Sequence, residues 1–92
     1  MTPTEAADIA RDALIWLAGE PETLGRVLAE TGLAPADLRD RAGDPDFLGL
    51  LLERLLADER TVLAFAVASG LPRDALLRAR AALPGGQALH WT

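Results

Sequence analysis

The 92-residue sequence contains no cysteine, lysine, tyrosine or asparagine, and a single histidine and a single serine. Without cysteine there is neither a disulfide framework nor a thiolate zinc site, so the fold must rest on packing. His90 has no second histidine to share a zinc ion with. Covalent catalysis needs a nucleophile beside a base that a third group orients. Ser69, set immediately before Gly70, offers little towards that arrangement and reads as a polar helix end. Aromatic residues make up only 4% of the chain, so its core must be Leu and Ala with a few Val and Phe, a mixture that favours helices over strands. Nine basic residues, all Arg, face fourteen acids for a net charge of −5. That balance works against non-specific attraction to nucleic-acid phosphates and anionic membranes. Long apolar runs are missing too: the uncharged stretch from Thr61 to Pro72 includes Gly70 and falls well short of the ~20 residues of a membrane-spanning helix. The first residues, MTPTEAAD, lack the basic and apolar segments of a signal peptide, so export is not expected and a cytoplasmic location is.

What is present is half hydrophobic and regularly punctuated. The length suits one domain with one core. Pro stands just inside the start of successive segments and Gly just past their ends, which is the asymmetry of helix termini. Thr2, Pro3 and Glu5 form a capping box that opens a helix running through Leu17 to Gly19, with Ala6, Ile9, Ala13, Trp16 and Leu17 as its core stripe. A second helix starts at Pro21, ends before Gly32 and presents Leu24, Val27 and Leu28. A short third helix begins at Pro35 and ends near Gly43, anchored by Leu33 and Leu38. Asp44 caps a fourth, from Pro45 to Ala57, which carries Phe47, Leu48, Leu50, Leu51, Leu52, Leu55 and Leu56 around a wide arc and leaves an exposed strip of only Asp46, Glu53 and Arg54. Asp58 caps a fifth, in which Val62 to Ala68 is apolar on every face, the pattern of a buried central element. Pro72 opens a sixth, which turns Ala75, Leu76, Ala79 and Leu83 inward and stops at Pro84, Gly85 and Gly86.

The expected fold class is therefore all-α, a compact bundle of five or six short helices over residues 1–86, with 87–92 as a flexible C-terminal tail. Thr31-Gly32-Leu33 and Ser69-Gly70-Leu71 are each followed by Pro and Asp, which reads as one helix-Gly-helix junction used twice.

The acids Asp37, Asp40, Asp44 and Asp46 gather around one turn, where an oxygen-ligand metal site is conceivable. Counted from Asp40 as an EF-hand, however, the sixth and twelfth positions hold Pro45 and Leu51 rather than Gly and Glu, and Arg39 and Arg41 sit inside the cluster. Helix capping explains these acids better. No Gly-rich phosphate loop follows a strand. No metal, cofactor or catalytic constellation is assigned, and the expectation is a protein that is not an enzyme.

One junction carries a mechanism. Phe65 to Arg80 has the outline of a helix-turn-helix, in which Arg73 and Arg80, seven residues apart on one face of the helix starting at Pro72, would reach phosphates or guanine edges. Residues 1–58 hold five Arg against twelve acids, a net −7, while residues 59–92 hold four Arg against two acids, a net +2. Against this reading, Pro72 directly follows Leu71, the preceding helix is too apolar to lie over a DNA backbone, and there is no basic stripe.

From Leu24 to Leu83, about two thirds of the chain, the segments LAETGLAPADLRDRAGDPDFL and LLADERTVLAFAVASGL resemble a family of short bacterial proteins known only as a domain of unknown function. The shared features are helix caps and core residues. The resemblance implies a small cytoplasmic helical protein and brings no catalytic or ligand residues with it.

Three functions are ranked on these grounds, the last an enzyme that works through carboxylates alone with metal supplied from solution. The first is a non-enzymatic interaction module that offers a helical surface to a protein partner or to a second copy of itself. Trp91 would serve as its aromatic anchor unless it folds back onto the bundle. The second is a DNA-binding regulator using Arg73 and Arg80.

Overall fold

Helix caps divide the chain as its prolines and glycines predict. A computed structural model describes residues 1–85 and contains six helices among them: α1 (Pro3–Ala18), α2 (Pro21–Thr31), α3 (Pro35–Asp40), α4 (Pro45–Leu56), α5 (Glu59–Ser69) and α6 (Arg73–Ala82). The Thr2 hydroxyl accepts the Glu5 N–H while the Glu5 carboxylate accepts the Thr2 N–H, both at 3.1 Å. Asp44 and Asp58 accept the N–H groups of Asp46 and Arg60 at the starts of α4 and α5. Gly32 and Gly70 end α2 and α5 in the same left-handed conformation, φ 74° and 75°, and each donates its N–H to the carbonyl four residues back. In both junctions the preceding hydroxyl, Thr31 or Ser69, accepts the N–H of the Leu after the glycine. The repeated junction is thus one piece of chemistry used twice.

Helix α1 is the centre of the bundle, packed against α2, α4, α5 and α6. Its inner stripe explains why: Ala6, Ala10 and Ala13 are completely buried and carry so little bulk that neighbouring backbones come close. Leu17, Leu48, Leu52 and Val62 supply the largest fully buried side chains. Leu76, Ala79 and Leu83 close the core from α6 and the turn after it.

Two sequence expectations are corrected. Helix α5 is not a buried central element: Leu63 is 54% and Val67 84% exposed, while Val62 and Phe65 on its other side are buried. The six short helices of the described residues build one core and leave no further layer to cover the outside of α5. Leu50, expected in the buried arc of α4, is exposed. At 100° per residue it falls opposite the side of Phe47, Leu48, Leu51, Leu52 and Leu55 that fills the core.

Candidate functional site

The side chains that sequence reasoning singled out are not brought together. Arg73, at the start of α6, is half-exposed and donates to the carboxylate of Glu59, the first residue of α5, at 2.9 Å. Arg80, two turns further on, is buried, with only 6% of its side chain exposed. It donates to the Pro84 carbonyl at 2.9 Å and to the Glu53 carboxylate of α4 at 3.1 Å. The expected pair of exposed arginines therefore does not exist, because Arg80 points into the protein where α4 leaves room for it. The room comes from Gly49: a Cβ there would stand 2.8 Å from the Arg80 guanidinium and 2.9 Å from the Pro84 carbonyl. Gly85 approaches the same guanidinium from the other side. Arg80 Nε finds no acceptor among the described residues. This cluster ties the end of α6 to α4 and gives the turn at Pro84 its geometry. Trp91 and His90, and the proposed tail 87–92, lie outside the described residues.

Two acids of the acidic turn are engaged in capping. Asp37 accepts the Ala34 N–H at 2.8 Å and Asp44 caps α4. Among the described residues no three acidic or histidine side chains stand close enough together to hold a metal ion. A second polar cluster ties α2 to α5. The Asp58 carboxylate receives Arg26 Nη2 at 2.6 Å and the Thr61 hydroxyl at 2.9 Å, and Arg26 also reaches Thr61. The hydrogen bond from Thr61, the Arg60 N–H and the charge of Arg26 together hold the Asp58 carboxyl below the ordinary aspartate range.

An apolar stripe also faces outward. On α5 the exposed positions Arg60, Leu63, Ala64, Val67 and Ala68 follow i, i+3, i+4, i+7, i+8 spacing, the stripe by which a helix normally buries itself against a neighbour. Val62 and Phe65 do so inward, with Phe65 set against Trp16 of α1 at 5.5 Å between ring centroids. Helix α5 is thus apolar on two opposite faces, of which the fold covers one. A groove of about 510 Å³ lies between α2 and α4, with Val27, Phe47 and Leu51 at its floor and Glu30, Arg41 and Arg54 at its rim. Arg54 and Glu30 approach to 4.0 Å across its mouth, and Arg41 lies 4.7 Å over the Phe47 ring. A shallower groove runs between the start of α1 and the end of α6.

The sequence analysis missed both the Arg80 cradle and the outer stripe. Each had a signal. A glycine inside a Leu-rich helix costs about 1 kcal/mol relative to alanine and so marks a close approach. A helix apolar all round, in a chain too short to surround it, leaves one face uncovered.

The family model described as a protein of unknown function, DUF3572, matches residues 3–86. The chain belongs to this family. The match takes in all six helices, so the family is defined over the whole bundle. No curated protein and no solved structure matches the chain. No helix of the described residues is long and apolar enough to cross a membrane.

Proposed function

We propose that this member of the family is a non-enzymatic interaction module whose contact surface is the outer face of α5. The observation that carries the reading is the exposure of Leu63 and Val67 on one stripe with Ala64 and Ala68, on a helix whose opposite face already fills the core. Exposed apolar residues scattered singly are ordinary, but a run of them at helical spacing has the form of a helix packing surface. The chemistry of the remaining surface supports the same conclusion. Several of its charged side chains are engaged in ion pairs between helices, such as Arg26 with Asp58 and Arg73 with Glu59. A cysteine-free chain suits a reducing compartment, and we assign the module to the cytoplasm on that ground.

The test is a comparison of two baits at native expression level, the tagged protein and its Val67→Glu variant, captured from cells after nuclease treatment. A protein retained in stoichiometric amount by the first and lost by the second is the expected result. Capture of the same proteins by both baits would remove α5 from the account.

A further inference from the structure

We infer that the occupant of the outer α5 face is the same face of a second copy, paired antiparallel about a two-fold axis. This inference rests on the proposed contact role of α5 and specifies its partner. Three features of the stripe favour it over an unrelated protein.

The first is shape. A two-fold axis passing between Ala64 and Val67 brings Val67 of each copy level with the partner's Ala64, and Leu63 level with the partner's Ala68. Large side chains are thus set at the height of small ones, the condition for knobs to enter the facing surface. Parallel pairing would instead put Leu63 against Leu63 and Val67 against Val67.

The second is charge within the stripe. Arg60 is its one charged residue, and it takes part in no ion pair among the described residues. The last turn of α5 carries no basic residue to offset the negative end of the helix dipole. Antiparallel pairing sets Arg60 level with the partner's Leu71, where its guanidinium reaches the carbonyls of the partner's last turn. The two Arg60 residues then stand about 16 Å apart along the axis at 1.5 Å per residue, beyond the screening distance of physiological salt. Parallel pairing would put them side by side.

The third is charge over the whole protein. Two copies at −5 each repel, and the outer stripe of α5 is a face on which they meet without opposing carboxylates. The charge clusters at its N-terminal end, Glu59 with Arg73 and Asp58 with Arg26, are already neutralised within the chain.

The experiment is light scattering after size exclusion on the full chain, at rising concentration. The expected mass rises from the 9.8 kDa of one chain to twice that value, and Val67→Glu returns it to one chain while melting as the wild type does in dilute solution. Because the wild type has no cysteine, Ala64→Cys and Val67→Cys chains then report the register. An equimolar mixture is expected to form disulfide-linked dimers several-fold faster than either variant alone. Equal rates would overturn the antiparallel arrangement. A wild type that stays monomeric at its highest soluble concentration overturns the second copy as occupant. If a captured protein is nevertheless lost on Val67→Glu, the contact face survives that failure. If capture too is indifferent, both readings fall.

Discussion

At the end of α6 a guanidinium is buried, and on the outside of α5 a leucine and a valine are exposed, so two regions of one small bundle reverse the usual placement of side chains. The difference lies in what each region has to offset the cost. Arg80 carries its charge into the protein with a carboxylate from α4, a carbonyl from its own turn, and a space that Gly49 keeps open. That is a complete local arrangement, apart from one nitrogen. Leu63 and Val67 have no such local answer, since among the described residues nothing covers their side of α5. A buried charge that is satisfied belongs to the fold, whereas an apolar stripe left uncovered belongs to whatever comes next to it.

The largest expected effect separates the two halves of the buried pair. Glu53→Ala strands the guanidinium in the interior with one carbonyl for company and is expected to cost roughly 3 kcal/mol in denaturant unfolding, as for other buried charges that lose a partner. Arg80→Met breaks the same pair but leaves only the half-exposed Glu53 carboxylate behind, and replaces the stem with one of similar volume. It is expected to stay within about 1 kcal/mol of the wild type. Equal losses from the two substitutions would show that the pair, rather than the burial of its positive half, is what matters.

Next comes Gly49→Ala. The added methyl meets the Arg80 guanidinium and the Pro84 backbone under 3 Å. Overpacking of about 1–3 kcal/mol outweighs the better helix propensity of alanine, which returns up to about 1 kcal/mol. In an Arg80→Met background part of that penalty should vanish, a coupling that a double-mutant cycle reads directly.

A smaller effect is set by pH. The folded protein holds the Asp58 carboxyl below its ordinary value, so its capping and pairing stabilise the fold fully above the ordinary aspartate range. That contribution is lost as pH falls through the lowered value. The difference in melting temperature between wild type and Asp58→Asn should be greatest near neutral pH and shrink in acid. A difference that is constant down to strongly acidic pH would place the stabilisation elsewhere.

The positions of all six helices were legible in the sequence because their ends are written in local chemistry: Thr2 with Glu5, Asp44, Asp58, the prolines, Gly32 and Gly70. Inward residues of α6 such as Leu76 and Ala79 were legible from helical spacing alone. Burial was not, wherever it depends on which helix takes the centre. Alanine-rich α1 occupies that place through its lack of bulk, a property that periodicity does not weigh, and it displaces α5 outward. The two arginines show the same limit. Their spacing of seven puts Arg73 and Arg80 on one face, but the glycine that draws Arg80 inward sits 31 positions earlier in the chain. Only the packing of α4 against α6 brings them together.

The central claim is that the outer face of α5 contributes to contacts and not to the fold of a single chain. Thermal unfolding of the wild type and of Leu63→Ser/Val67→Ser, each over a wide range of protein concentration, tests it most directly. The account predicts that in dilute solution the two melt within the small difference expected of surface substitutions, about 0.5 kcal/mol. At high concentration only the wild type should rise in melting temperature, as association stabilises the folded state. A variant that melts well below the wild type even in dilute solution, with neither responding to concentration, would show that this face is packed within the chain and would contradict the account.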